Sequence, residues 1–579
     1  MIKLTINGKE IEAKEGTTIL DAAKSAGIHI PTLCHLNLHN TKMVNQSSNC
    51  RICVVEQEGR RNLAPACTTV ASDGMVIHTN TPRAVKARRN VLELILSNHP
   101  KDCLTCSRNQ SCELQNLANE LSVRDIHFKG KRNKYQKDTS SLSIVRDQEK
   151  CVLCRRCETM CNKVQTVGVY SPVLRGFSTT MSTAFDEPIM DTICTFCGQC
   201  VSVCPTGALT QVDNTSKVWD AINDNDKTVI VQTAPAVRAA LGEEFGFPVG
   251  TNVTGKMVAA LRGIGFDKVC DTNFAADLTI LEEAHEFIDR LQNGGKLPIL
   301  TSCCPAWVKF IEHQFPELLD IPSTCKSPQE MFGAIAKTYM AEKLGLKREN
   351  VVVVSVMPCL AKKYESQRSE LGDGKTQDVD YVITTRELAK MIREAGIQFE
   401  ALPDEEYDDL LGYSTGAADI FGTSGGVLEA AVRTAKSWLE GKNIDKLDFT
   451  AVRGMEGIRE AELDVAGIKV KAAIAHGLGN ARTLFEKIID GTADYHIIEV
   501  MACPSGCVGG GGQPYYLEHN TETLKKRAKV LYKEDATKLV RLSHENPQVQ
   551  ALYKDFLGEV GGHKAHELLH TEYTKRSVY

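Results

Sequence analysis

Twenty-two cysteines in 579 residues are the groups in this sequence best able to do chemistry. Three apolar runs end in thiols. Lys-Leu-Pro-Ile-Leu-Thr-Ser leads to the adjacent pair Cys303 and Cys304. The β-branched run Val351 to Met357 stops at Met357-Pro358-Cys359, and His496 to Val500 stops at Met501-Ala502-Cys503, with Cys507 following in a Gly-rich turn. Such runs read as buried strands, and in open α/β sheets ligands collect beyond the carboxyl ends of strands. Three thiol-bearing strand ends therefore aim at one point. Four thiolates, one from each of the first two loops and two from the last, are the complement of a cubane iron–sulfur cluster. One cysteine of the Cys303–Cys304 pair is then left unspent. Buried structural cysteines are the alternative, and the recurrence of thiols at strand ends followed by glycines argues against it.

Fifteen of the cysteines precede residue 205. Cys34, Cys50, Cys53 and Cys67 in a short β-rich segment suit a [2Fe–2S] cluster or a structural zinc, although the loop from Cys34 to Cys50 is long for a zinc knuckle. In His99-x3-Cys103-x2-Cys106-x5-Cys112, three cysteines are one short of a cubane's needs and His99 is placed to supply the fourth ligand. The strongest local signal is a duplication: Cys151, Cys154, Cys157 and Cys161, then Cys194, Cys197, Cys200 and Cys204 before Pro205. In two-cluster ferredoxins the fourth cysteine of each run serves the other cluster. Cys151, Cys154, Cys157 and Cys204 would then hold one cubane, and Cys194, Cys197, Cys200 and Cys161 the second. Asn162 stands where proline is usual, which changes the turn and removes no ligand.

The elements that must position these groups follow from patterning. Asn7-Gly8 within alternating residues signals a hairpin, Thr17 to Ala26 a short helix, and Arg83 to Ser97 an amphipathic, Arg-rich helix. A polar tract, Lys129 to Ser143, reads as a linker. From about Lys217 strands and helices alternate: Thr228 to Thr233, followed by a helix from Ala236; Tyr381 to Thr385; Ala472 to His476. This is α/β layering. Gly477-x-Gly479 lacks the third glycine and distal acid of a dinucleotide site. On the helical stretch Thr279 to Leu291, Glu283, Glu286 and Arg290 share a face at i, i+3 and i+7; a solvated stripe is the ordinary meaning of such a face. The tail from Leu517 is charged and helical in pattern, without recognisable ligands.

The length implies several domains. With 24% charged residues and a formal net charge of −5, there is no electrostatic footprint for nucleic acid. No apolar run approaches the roughly 20 residues of a membrane span, and no signal peptide opens the chain, so a cytoplasmic location is expected. There the thiols stay reduced and serve metals rather than disulfides.

Thr-Ser-Cys-Cys-Pro (301 to 305), Met-Pro-Cys-Leu-Ala-Lys-Lys-Tyr-Glu (357 to 365) and Glu-Val-Met-Ala-Cys-Pro-Ser-Gly-Cys-Val-Gly-Gly-Gly-Gly-Gln-Pro (499 to 514) resemble, in order, the three signatures of [FeFe]-hydrogenases. The front half resembles a plant-ferredoxin-like domain, then the one-histidine, three-cysteine [4Fe–4S] module that these enzymes share with a respiratory NADH dehydrogenase subunit. The resemblance implies a multidomain α/β and α+β chain. Residues 1–78 would carry [2Fe–2S], 79–138 the His-ligated [4Fe–4S], and 139–216 two further [4Fe–4S] clusters. Residues 217–516 would form a two-lobed catalytic domain with the active-site cluster between its lobes, and 517–579 a helical tail packed on it. It also implies an H-cluster, in which a cubane on Cys304, Cys359, Cys503 and Cys507 is joined through Cys507 to a two-iron unit bearing CO, CN⁻ and a dithiolate amine. Lys362 and the backbone near Ala234 and Pro235 would contact the cyanides. Gln329, Met357, Phe421 and Met501 would pack around the irons. Protons would pass from Cys303, through water, to Glu283, Ser323, Glu286 and Arg290. The implied reaction is reversible H₂ formation, with electrons from ferredoxin or from a flavin-containing NAD(P)H-oxidising subunit and a small [2Fe–2S] subunit, as in electron-bifurcating assemblies of anaerobes. Thr-Ala-Pro-Ala-Val-Arg (233 to 238) and Leu-Leu-His-Thr (568 to 571) look closer to the multimeric type. A ferredoxin-linked monomer, a hydrogen sensor and an electron-transfer or cluster-assembly paralogue are the alternatives.

Overall fold

The computed structural model describes every residue except 39–40, 42, 46–47, 516–520 and 578–579, so the expected start of the tail at Leu517 lies outside the described residues. Two compact units emerge: Met1–Lys163 with Gly168–Ile189 and Val203–Thr210, and Val164–Val167 with Met190–Ser202 and Gln211–Tyr579. The two halves of the duplicated cysteine motif are thus divided, with Cys194, Cys197 and Cys200 in the larger unit and Cys161 in the smaller.

In the smaller unit a five-stranded sheet runs in the order Lys9–Ala13, Ile2–Ile6, Met75–His78, Val54–Gln57, Ala64–Pro65. The first pair is closed as expected, with Asn7 at φ 51° and Gly8 at φ 82° between the partners Ile6 and Lys9, the geometry of a type I′ hairpin turn. Thr18 accepts from the Asp21 N–H and starts the helix Ile19–Ser25, so the helix is shorter at both ends than its sequence suggested. Thr81 caps Pro82–Asn98 in the same way.

The larger unit holds two four-stranded sheets. One is wholly parallel: Lys268–Asp271, Thr228–Thr233, Val351–Met357, Tyr381–Thr384. The other runs Ile299–Leu300, Ile497–Met501, Ile468–His476, Ile458–Val465, parallel except for its last pair. Val351–Met357 is buried throughout, as its valine-rich run, interrupted by Ser355, requires of a central parallel strand. The helix foreseen at 279 to 291 spans Thr272–Asn293, capped by Asp271 and ended by Gly294 at φ 78°. Its early turns, ahead of the expected start, carry polar residues whose partners lie elsewhere in the unit. Folded, Asp277 accepts from Thr415 and Asn546, and Asn273 donates to Asp419. Beyond 520, the helix Thr521–Thr537 is tied to this unit by a bidentate Arg433–Asp535 pair at 2.8 and 2.9 Å and by Arg527 on Glu243. Gly479 is explained by packing: a Cβ there would lie 2.7 Å from the Val164 carbonyl. The N-terminus of the following helix is met by Gln165 Oε1, which accepts from Leu478 N–H.

Candidate active site

The thiols of the larger unit come from both sheets. Cys303 and Cys304 follow Ile299–Leu300, Cys359 follows Val351–Met357, and Cys503 follows Ile497–Met501. All four, with Cys507, line one cavity of about 750 Å³, together with Ala234, Pro235, Gln329, Met357, Lys362, Phe421 and Met501. Every residue assigned to that site by resemblance is therefore in its wall. Thr272, Ala276 and Pro328 also line it, and nothing in their local sequence singles them out. The glycine run fits by close approach: a Cβ on Gly510 would lie 2.1 Å from the Pro358 carbonyl, and Gly506 sits at φ 90°. Phe421, Met501, Ile280 and a set of alanines form one apolar cluster against Cys303, which makes this end of the cavity apolar.

Burial, and then the mutual charge of Cys304, Cys359 and Cys507, raise the Cys503 thiol well above its ordinary range. A cationic metal group would reverse this and hold thiolates. Among the described residues no three His, Cys, Asp or Glu side chains close on a single ion. Four thiols spread around a cavity of this size fit a cluster instead. Lys362 is the charged group in the wall: its Nζ donates to Glu365 Oε2 at 2.6 Å and to the Cys303 carbonyl at 3.1 Å. Burial opposes its charge, yet Glu365 and the nearby thiols outweigh that and raise its pKa. Cys197 is close enough to Cys503 to contribute to its electrostatics, and a Cβ on Gly511 would lie 2.7 Å from the Gly198 carbonyl, so the Cys194-to-Cys200 loop abuts the cavity.

The shared face of helix Thr272–Asn293 is not a wet stripe. Glu283 is buried, and its Oε1 accepts from Ser302 N–H at 3.0 Å and lies 3.1 Å from Ser302 Oγ. Burial, reinforced by Glu286, pushes its pKa up to about 7, although the Ser302 N–H works the other way. Glu286 Oε2 accepts from Ser323 Oγ at 2.8 Å, and its Oε1 from Arg290 Nη2 at 2.5 Å. Arg290 also donates to the Ile321 and Pro322 carbonyls. Among the described residues Glu283 Oε2 has no hydrogen-bond partner, and no direct bond joins Cys303 to Glu283 or Glu283 to Ser323. The outer half of the expected route is thus contiguous, while its inner half has gaps of the kind a water fills.

The smaller unit holds three thiol groups. The Cys50 thiol neighbours that of Cys34 and the Cys67 thiol that of Cys53, a set of four thiols that fits a [2Fe–2S] cluster. Cys151, Cys154, Cys157 and Cys204 line a single cavity of about 460 Å³. His99 is half-buried, and the desolvation pulls its pKa down to about 4 and leaves it neutral, the form that binds metal. Two contacts stitch these groups together. Asn45 Nδ2 donates to the Cys34 carbonyl at 2.6 Å and the Cys154 carbonyl at 2.9 Å. Buried Arg156 pairs with Glu113 at 2.7 Å and donates to the His35 carbonyl at 3.0 Å. Asn162 gives its amide to the Tyr170 carbonyl inside a π-helical turn, Met160–Val164.

Residues 227–511 match the family described as "Iron only hydrogenase large subunit, C-terminal domain", and 521–576 match "Iron hydrogenase small subunit". Residues 1–82, 88–127 and 188–210 match a "2Fe-2S iron-sulfur cluster binding domain", an "NADH-ubiquinone oxidoreductase-G iron-sulfur binding region" and a "4Fe-4S binding domain". The chain is 57% identical to NADP-reducing hydrogenase subunit HndD of Solidesulfovibrio fructosivorans, over 100% of this chain and 99% of that one. It is 40% identical to iron hydrogenase 1 of Clostridium pasteurianum, over 99% and 100%. A solved structure of an apo [FeFe]-hydrogenase from Chlamydomonas reinhardtii aligns with TM-score 0.57 at 40% identity, covering 63% of this chain and 100% of that one. Among the described residues no helix is long and apolar enough to cross a membrane.

Proposed function

The chain belongs to the iron-only hydrogenases, and from that premise we propose that it is the H₂-converting subunit of an NAD(P)-linked assembly, catalysing 2H⁺ + 2e⁻ ⇌ H₂. The observation that carries the reading is the convergence of Cys304, Cys359, Cys503 and Cys507, from strand ends of two sheets, on one cavity with Lys362 in its wall. These four thiolates would hold the H-cluster, with Cys507 the one nearest its two-iron unit. When bound, that unit supplies the iron and the bridging amine at which H₂ is split or made. The remaining steps belong to the chain. Gln329, Met357, Phe421 and Met501 would pack around that unit, Lys362 and the backbone at Ala234–Pro235 would contact its cyanides, and contacts of this kind tune a metal site. Cys303 takes or gives the proton at the cavity. Glu283, with a pKa of about 7, relays it at the pH where a relay works best, and Ser323, Glu286 and Arg290 carry it outward.

The ligand sets given above would hold the accessory clusters, with His99 completing one of them, and those clusters would supply the path for electrons. The 57% identity, over essentially the whole length, to a subunit named for NADP reduction supports partners that carry the flavin and the pyridine nucleotide, and a small [2Fe–2S] subunit and ferredoxin complete the set. Infrared spectroscopy of the anaerobically matured chain tests the core of this: bands of iron-bound CO and CN⁻ with H₂ turnover are expected, and their absence from iron-replete protein overturns it. Anaerobic purification under mild conditions tests the partners. A flavin subunit should co-purify, and a lone chain fully active with reduced ferredoxin would replace the assembly with the monomeric alternative.

A further inference from the structure

Behind the Lys362–Glu365 pair lies a second, polar chamber, walled by Ser302, Ser327, Glu330, Glu365, Thr571 and Tyr573 and large enough for at least one water. One wall belongs to the proton route, since Ser302 Oγ is 3.1 Å from Glu283 Oε1. The opposite wall belongs to the active-site cation: Glu365 Oε2 accepts from Lys362 Nζ at 2.6 Å and from Ser327 Oγ at 3.0 Å. Glu330 enters from a third side. Its Oε1 accepts from Gln329 Nε2 at 2.7 Å. Its Oε2, in a fully buried residue, has no partner among the described residues, and the same is true of Thr571 Oγ1. Buried polar atoms are seldom left unsatisfied, and a roomy polar void beside two of them is where ordered water sits. The outer side is closed by Tyr573, whose hydroxyl donates to the Ser323 carbonyl at 2.7 Å and reaches the Ser302 side chain.

We propose that this chamber is a water site that connects Glu283 to the Lys362–Glu365 pair, with Glu330 as the proton-holding carboxyl and Tyr573 as the lid. The inference rests on the route through Glu283 read above. In the transfer, Ser302 Oγ takes a proton from Glu283 and gives its own to the water, and the water passes one to Glu330 Oε2. Each bridging oxygen gains one proton and loses one, and the net change is a proton moved from Glu283 to Glu330. Burial, and then the charges of Glu365 and Asp378, push the Glu330 pKa up, so its carboxylate, when ionised, readily takes the proton and holds it. Lys326 and Arg368 also border the chamber and keep the surrounding carboxylates compensated: Lys326 pairs with Asp378 at 3.0 Å, and Arg368 with Glu312 at 2.6 Å.

The test uses the full, matured chain. A crystal structure should show water within hydrogen-bond distance of Glu330 Oε2 and Thr571 Oγ1. Difference infrared spectra should show a protonated-carboxyl band that shifts in D₂O, disappears in Glu330→Gln with iron content unchanged, and exchanges at least tenfold more slowly in Ser302→Ala. A dry chamber, or a band that survives Glu330→Gln, overturns the site. Unchanged exchange in Ser302→Ala overturns the connection to Glu283. If Glu330→Gln fails to fold, the water density and the D₂O shift in the wild-type chain still decide. The route itself fails on a different measurement, full turnover in Cys303→Ala, which leaves the water and the band in place, so the two failures read separately.

Discussion

Replacing Glu283 by Gln tests the relay at its most informative point. The wild-type carboxyl is raised from an ordinary 4.5 to about 7. At about 1.4 kcal/mol per unit, keeping it charged in place costs on the order of 3 kcal/mol. Because the folded chain keeps a proton that the unfolded chain releases between those values, stability falls as pH rises through that window. Glu283→Gln removes that penalty above neutrality. The new amide oxygen still accepts from Ser302, but the nitrogen occupies the place of Oε2, which has no partner, and an unmet buried donor costs about 1–3 kcal/mol. The two effects nearly cancel at alkaline pH, so the variant should fold, assemble its clusters and show wild-type infrared bands. Turnover should nevertheless fall by roughly 10²- to 10⁴-fold, the usual contribution of a positioned proton-transfer group. In the wild type, H₂ production needs the protonated acid and should decline as pH rises through about 7, while H₂ uptake should rise over the same range. The variant should lose both limbs. Dye-linked assays in both directions across the neutral range, with infrared spectra of the same samples, measure this. Turnover within about threefold of wild type, with the pH limbs intact, would refute the reasoning.

Cys303→Ala should retain a normal cluster spectrum and lose nearly all turnover, whereas Cys303→Asp, which keeps an exchangeable proton, should retain a measurable part. His99→Ala should lose or convert one cubane, read from iron content and EPR, and keep part of the dye-linked activity; an unchanged count would remove His99 from the ligand set. Arg156→Met breaks the buried pair with Glu113 and should destabilise the smaller unit by about 3–5 kcal/mol, seen as a lower unfolding midpoint and weaker EPR signals from the clusters it borders. Wild-type values for both would mean the pair holds nothing together.

The thiols were legible because each interrupts a pattern. A β-branched run that ends in Cys announces both the strand and the end at which a ligand gathers, and Cys304, Cys359 and Cys503 all sit there. The face shared by Glu283, Glu286 and Arg290 was legible from helical spacing, but its burial was not, because what covers it comes from elsewhere. Ser302, Ser323 and the segment around Tyr573 are distant in sequence from that helix. Glu330 and Glu365 were hidden differently. Glu365 closes the very motif that carries Cys359, and Glu330 follows Gln329 in the apolar helix Pro328–Ile335, so a charge in an otherwise apolar run was the available sign. Tyr573 left no local sign. Its role exists only because residues 569–573 lie alongside 323–326, with Lys326 N–H on the Leu569 carbonyl and Thr571 N–H on that of Thr324.

That the four cubane thiols are drawn from two sheets has a consequence for the chain as a polymer. A cluster bonded to Cys304, Cys359, Cys503 and Cys507 is a four-way cross-link that fastens one sheet to the other and closes two long stretches of chain into loops. Cross-links of that kind act chiefly by shrinking the unfolded ensemble, the more so the longer the loop, and a group bound only by the folded form adds its own binding free energy to stability. Without the cluster the strand-end loops of the two sheets are joined by packing and by a few hydrogen bonds, such as Lys362 Nζ to the Cys303 carbonyl and Gly512 N–H to the Pro358 carbonyl. After insertion they are bolted, and the catalytic unit should unfold only at temperatures or denaturant concentrations that also strip the metal.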